Sequence, residues 1–313
     1  MHKEDYIVDN QRDLPLWEIS NNGYFVDAEW LYEQKKDTKN KLQLIYIQRS
    51  DQGSTKFIPE SVVLNSIDFS PNDGLFYSPE KCLQVFRQYG ISNNKMLVFY
   101  SQRTRVACRI AFVAYWLGFD NIKILNGGID SWIKKGYPTV EEPLERFNEV
   151  SEINIAPQRT KALISTADDV LQFMKTQNNT VLASVRNWDE FIGETMGHSW
   201  NAAIGEIKGA VYAGYHNIID RTECVVAPEY FLKKWEKWGI NSSKHTIFYC
   251  GTGWRASLAF FVAKELGWKN IHLYDGSWYD WFQAHQKEPN KYPIQIGLDQ
   301  KYAKMLGEKE NEN

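Results

Sequence analysis

The stretch Ile247-Phe-Tyr-Cys250-Gly-Thr-Gly253-Trp-Arg255-Ala-Ser-Leu-Ala-Phe-Phe-Val262 reads as a strand, a tight loop and a helix. Ile247, Phe248 and Tyr249 have the unbroken apolarity of a strand buried on both faces, and they run directly into a cysteine. Two glycines follow within three positions, and an apolar helical pattern begins near Arg255. Gly251 and Gly253 lack a Cβ, so the chain can curl until successive N–H groups point at the cysteine sulfur. The helix start adds unsatisfied N–H groups and a positive dipole end, and Arg255 adds a full charge. All of these favour thiolate over thiol, and the thiolate is the nucleophile. A cysteine at a strand end is ordinarily a small buried hydrophobe. Two glycines, a cation and a helix start directly behind this one point instead to a functional thiol.

Upstream the same alternation repeats. Val26–Tyr32 reads as a short helix capped by Asp27, after an irregular lead-in over 1–24. Strands are expected at Leu42–Arg49, Met96–Tyr100 and Ile122–Leu125. Helices are expected at Pro79–Gly90, Ala107–Leu117 and around Trp132. This predicts an α/β fold with mainly parallel sheets flanked by helices.

A shift of 149 positions lays Phe99–Trp132 on Phe248–Trp281 without a gap. Phe99, Tyr100, Ala107, Val113, Ala114, Leu117, Gly118, Asn121, Ile122, Gly127 and Trp132 all recur. The same shift sets Ile58 on Ile207, Pro79-Glu80 on Pro228-Glu229 and Tyr89-Gly-Ile on Trp238-Gly-Ile, while Tyr46–Arg49 resembles Ala183–Arg186 at a slightly different offset. The chain is therefore two copies of one unit: a first domain over 1–140, a Glu- and Pro-rich linker over 141–160, a second domain over 161–300 and a polar tail over 301–313. The first copy has Ser101, Gln102, Thr104 and Val106 where the second has Cys250, Gly251, Gly253 and Arg255. It keeps the strand and helix and loses the chemistry, so it is expected to be catalytically silent and to wall the cleft.

At 313 residues and a net charge of −3, the chain carries two ordinary cores and no electrostatic signature of nucleic-acid or membrane-surface binding. No apolar run is long enough for a signal peptide or a membrane span. Cys82, Cys108, Cys224 and Cys250 show no metal-ligand spacing, and their sparsity suits a reducing cytoplasm. Cys82 and Cys108 read as packing residues, Cys224 as a weak candidate resolving thiol, and His198, His216 and His245 as surface or satisfied residues. Asp275 and Ser277 read as turn and capping residues.

With the duplication and the Cys-x-x-Gly-x-Arg loop in hand, the sequence resembles the tandem-domain rhodanese sulfurtransferases. Val181–Arg186 with Glu190-Phe-Ile-Gly193, Gly205–Ala210, Tyr249–Arg255 and Leu273–Trp281 carry the resemblance. It implies transfer of a sulfane sulfur through a Cys250 persulfide, without a cofactor or metal, from a small anionic donor to cyanide, a small thiol or a protein thiol of thioredoxin-like kind. The persulfide would be cradled by Gly251, Thr252, Gly253, Trp254 and Arg255. Arg186 lies where the family's arginine contributes to the donor pocket; an ion pair to Glu190 or Glu194 is its other use, and a pairing near Asp275 is the alternative for Arg255. Ser184 stands where the family has Asp, Glu206 where it has His, and Lys208 where it has Pro, and 194–204 reads as an inserted polar loop. Arg255 at the loop end favours thiosulfate as donor; the Cys-Gly-Thr-Gly run is similar to 3-mercaptopyruvate sulfurtransferases. Cysteine phosphatases and arsenate reductases resemble a Cys-x5-Arg loop, one residue longer than this one. Non-catalytic rhodanese-like binding modules usually lose the cysteine.

Overall fold

The computed structural model describes residues 14–37, 42–49, 53–71, 74–148, 153, 159–197 and 203–298. The tail at 301–313, His198 and parts of the linker and of the 194–204 loop lie outside them. The first half runs β1 (Phe25–Val26), α1 (Ala28–Lys36), β2 (Leu42–Gln48), β3 (Ser61–Asn65), α2 (Pro79–Gln88), β4 (Met96–Tyr100), α3 (Thr104–Trp116), β5 (Ile122–Leu125) and α4 (Gly128–Lys134). The second half runs β6 (Leu163–Ile164), α5 (Ala167–Thr176), β7 (Thr180–Ser184), α6 (Trp188–Phe191), β8 (Glu206–Ile207) and β9 (Val211–Tyr212). It continues with α7 (Tyr215–Ile218), α8 (Pro228–Lys237), β10 (His245–Tyr249), α9 (Trp254–Glu265), β11 (Ile271–Tyr274), α10 (Ser277–Lys287) and β12 (Ile294–Gln295).

Local chemistry sets these boundaries. Asp27 accepts from Trp30 N–H to start α1, and Ser78 with Pro79 starts α2. Thr166 and Asp169 close a reciprocal capping box on α5. Each half builds a parallel five-stranded sheet, ordered β1-β5-β4-β2-β3 and β6-β11-β10-β7-β9. Strand for strand these are one topology, so the repeat in the sequence is a repeat in space. β4 and β10 are the central strands, and the loops that follow them open at the carboxyl end of their sheets, where open α/β folds meet ligands.

The halves are packed together, not merely tethered. Helix α3 lies on α9, with Phe112 and Phe260 ring centroids 4.9 Å apart and Tyr115 at 5.4 Å from Phe260. One continuous cluster of buried side chains runs through both halves. Fully buried Arg109 of α3 meets Asp275 of the second half at 2.6 Å, and Phe76 N–H donates to the same carboxylate at 2.8 Å. Asp275, read from sequence as a turn residue, is an inter-domain staple. Two expectations shift here. The lead-in crosses to the second half, where Trp17 N–H donates to Val225 O and Ala227 N–H to Pro15 O. The linker's beginning belongs to the first half, since Val140 bonds Phe57 and Leu144 N–H donates to Ser61 O.

Candidate active site

Cys250 ends β10 and is 1% exposed. Its peptide is held from both sides. Cys250 N–H donates to Ser277 Oγ at 3.2 Å, and Cys250 O accepts from Trp278 N–H at 3.0 Å. Ser277 Oγ in turn donates to Tyr274 O, and Ser277 sits at φ 53°, a left-handed conformation that a serine rarely adopts. Ser277, three residues beyond the end of β11, therefore holds the Cys250 backbone. Sequence reasoning gave Ser277 only a capping role.

The two glycines of the loop differ in conformation. Gly253 takes φ 84° and precedes α9, whereas Gly251 needs no left-handed conformation. Among the described residues, none of the N–H groups from Gly251 to Arg255 donates to a backbone carbonyl. These donors lie between Cys250 and the first turn of a twelve-residue helix, a setting in which backbone N–H groups are able to serve an anion. A Cβ on Gly253 would collide with the Arg109 guanidinium and come within 3.2 Å of Asp275 O. Gly253→Ala is therefore expected to lose about 2 kcal/mol or more, from left-handed strain plus displacement of the inter-domain pair. Urea denaturation checks the loss, and the alkylation rate of Cys250 should change with it.

Arg255 is clamped. Its guanidinium donates to both Glu190 oxygens, at 2.5 and 3.0 Å. Burial opposes its charge, but Glu190 and then the Cys250 sulfur more than reverse this, so Arg255 holds its proton more tightly than an ordinary arginine. Glu190 is 1% exposed; burial opposes its ionisation too, yet Arg255 and Arg186 pull it down to about 2. The Asp275 region does not pair with Arg255, since Arg109 occupies it.

Arg186 is fully buried and does not reach the cavity around Cys250. It donates to Gly205 O, lies 3.6 Å from Glu190 and 3.4 Å from Glu206, and has Trp278 beneath it. Of its two readings the structure takes the ion pair, with Glu190 as expected and Glu206 added. Ser184 and Glu206 belong to this same network: Glu206 accepts from Ser184 Oγ at 2.8 Å and from Tyr249 OH at 2.6 Å. The carboxylate sits on β8 and bonds the hydroxyl at the end of β7, so the two departures complement each other behind the loop.

The cavity at Cys250 has a volume of about 230 Å³. Gly251, Thr252, Trp254 and Arg255 line it, with Asn187, Tyr215 and His216 from the second half and Arg49, Arg103 and Arg105 from the first. The first domain does wall the cleft, and it does so with cations. Arg49 was within reach of sequence, because the repeat set it opposite Arg186. Arg103 and Arg105 were not, since nothing local connects them to Cys250. His216, read as bland, is in the cavity wall. Burial, reinforced by Arg255 and Arg105, lowers it to about 4, so it is neutral at physiological pH. The unfolded chain takes up this proton near the ordinary histidine value and the folded chain only near 4. Acidification through that window therefore favours unfolding. Between about pH 7 and pH 4 the native protein should lose on the order of 2 to 3 kcal/mol more stability than His216→Asn, measured by denaturant titration at both pH values.

Both halves match the same family profile, described as a rhodanese-like domain, over residues 27–135 and 166–284. The chain is 28% identical to thiosulfate sulfurtransferase YnjE of Escherichia coli over 211 residues, 65% of this chain and 48% of YnjE, so the match spans about half of that relative. It is 26% identical to sulfur carrier protein TtuD of Thermus thermophilus over 219 residues, 66% of this chain and 74% of TtuD. Among solved structures, the anaerobic ergothioneine biosynthesis enzyme from Chlorobium limicola, in complex with trimethyl histidine, matches with a TM-score of 0.77. That match has 25% identity and covers 88% of this chain and 70% of that one. The YnjE crystal structure matches at 0.76 with 24% identity, over 88% and 68%. A duplicated parallel sheet, the family profile in each half and a single cysteine loop at the end of the second central strand agree: the chain belongs to the rhodanese family, as a tandem-domain member.

Proposed function

We propose that this protein is a sulfurtransferase that carries a sulfane sulfur as a persulfide on Cys250, with thiosulfate as the favoured donor. The observation that carries the reading is the loop itself: a buried sulfur beside Arg255, at the start of α9, with N–H groups that no backbone carbonyl engages among the described residues. The Cys250 thiolate attacks the outer sulfur of thiosulfate. A bond forms between the two sulfurs, the S–S bond of the donor breaks, and sulfite leaves with the bonding pair. Charge is conserved, three negative charges on each side, and no proton moves. Cyanide or a thiolate then takes the terminal sulfur and restores the Cys250 thiolate.

The residues' roles follow from charge. The persulfide is an anion formed beside the start of α9, and preorganised N–H donors of the loop would need no rearrangement during transfer. Arg255, held in one orientation by Glu190, offsets negative charge at the sulfur. Neither half-reaction requires a general base, and neutral His216 is compatible with that. The similarity to a protein named a sulfur carrier supports a protein as one class of partner, and a thiol of thioredoxin-like kind is the acceptor proposed. The Cys-Gly-Thr-Gly run keeps 3-mercaptopyruvate as the second donor.

Steady-state formation of thiocyanate from thiosulfate and cyanide tests the proposal. Parallel double-reciprocal lines are expected, because the sulfur is parked on the enzyme between substrates. Absence of turnover with thiosulfate and with 3-mercaptopyruvate, in reduced and folded protein, overturns it.

A further inference from the structure

We propose that the first domain, silent in covalent chemistry, supplies the site that binds the donor's anionic head. Arg103 and Arg105, set side by side by Glu223, form its core, with Arg49 beside them. This rests on the sulfurtransferase reading and gives it a substrate class: a compact oxyanion-headed donor of sulfonate type, preferred over a monocarboxylate.

Two of the cations near Cys250 are committed to other partners. Arg186 is fully buried behind the loop and spent on Glu190, Glu206 and Gly205. Arg255 is engaged by both oxygens of Glu190 and by the Cys250 sulfur. The other cations in the cavity lining are Arg49, Arg103 and Arg105, all from the first half. Arg49 follows β2, with its guanidinium 4.7 Å from the Trp254 ring centroid. Arg103 and Arg105 stand at the start of α3.

Their arrangement is built, not incidental. Arg105 Nη1 donates to Tyr215 OH at 3.1 Å and lies 3.4 Å from Glu223 Oε1; Arg103 Nη1 lies 3.7 Å from the same oxygen. Glu223 is itself fixed, at φ 60°, with its backbone carbonyl accepting from Thr104 Oγ1 at 2.5 Å. Two guanidinium groups thus share one carboxylate, whose ionisation burial disfavours, and the pair keeps an excess of positive charge. The Arg103 side chain is 46% exposed and meets solvent, whereas Cys250 is almost fully enclosed. A donor whose oxygens lie against these planar forks, each able to bond two oxygens, can direct its outer sulfur inward toward Cys250. Thiosulfate offers three oxygens and, as a whole ion, two negative charges. A carboxylate offers two oxygens and one charge.

The test separates anion binding from transfer. Cys250 is alkylated with iodoacetamide, an uncharged reagent, with and without sulfate, and the modified peptide is quantified in wild type and in Arg103→Gln/Arg105→Gln. Sulfate should slow alkylation of wild type, and the double variant should need about tenfold more sulfate per arginine removed for the same protection. The KM for thiosulfate should rise in parallel, with kcat changing far less. Arg103→Gln alone, at a half-exposed side chain, keeps the test open should the double variant fail to fold. Equal protection in variant and wild type, or none in wild type, overturns the inference. If thiosulfate delivers no sulfur while sulfate still protects wild type and not the variant, the thiosulfate reading falls and the anion site stands.

Discussion

Cys250→Ser is expected to fold normally and to transfer no sulfur, with turnover lowered by about 10⁴ or more. The change in volume is small, so the packing around a 1% exposed side chain should survive. The chemistry should not. A serine hydroxyl needs a strong base to become a nucleophile, and in the proposed mechanism the loop stabilises an anion and accepts no proton. The first domain already holds the comparison. At the equivalent position, Ser101 Oγ donates to Ile47 O at 2.8 Å and serves the fold, while α3 begins at Thr104, before the position equivalent to the start of α9. Thiocyanate formation by the purified variant, set against its thermal melt, checks both halves of the expectation.

The second large effect is expected at Glu190, which no reading of the sequence placed at the centre of the site. Glu190→Gln removes the carboxylate that sits between two buried or nearly buried guanidinium groups, Arg186 and Arg255. Breaking a buried pair from one side leaves charge uncompensated, and the loss should be about 3 to 5 kcal/mol in denaturant titration. Arg255 would also lose its bidentate alignment, so sulfur transfer should slow by about a hundredfold even where the variant is fully folded. A variant that is destabilised but transfers sulfur at the native rate would reduce Glu190 to a purely structural element. The pH dependence has a definite sign. Because the folded carboxyl is depressed to about 2, its contribution is complete above the ordinary carboxylate range and is lost only as pH falls toward 2. Losses of activity or stability at milder acidity have another source, and His216 is the group positioned to provide one.

What was legible in the sequence follows a physical division. Elements that depend on local pattern were readable: the alternating strands and helices, the Asp27 cap, and the cysteine loop with its glycine-to-helix transition. The duplication was readable because the same residues recur at a fixed spacing, and the strand order repeats with them. Ser101 opposite Cys250 distinguished the two copies before any geometry was known. Arg186 was legible as important but open in role, since one guanidinium at a strand end can face a ligand or a carboxylate with equal ease; burial decided between them. The meaning of Ser184 and Glu206 was hidden, because each is a departure by itself and the two make sense only when the hydrogen bond between them is seen. Asp275 and Arg109 were hidden for a similar reason, as a pair that joins two domains. The cationic wall opposite Cys250 comes from α3 and the end of β2, far along the chain, and no periodicity announces it.

Intact mass spectrometry of the reduced protein after incubation with thiosulfate, followed by a cyanide chase, tests the central claim most directly. The account predicts the gain of one sulfur atom per chain, localised to the peptide containing Cys250 and absent from Cys250→Ser, and its removal by cyanide with release of thiocyanate. A folded, reduced protein that gains no sulfur from thiosulfate or from 3-mercaptopyruvate, or that gains it at a cysteine other than Cys250, would contradict it.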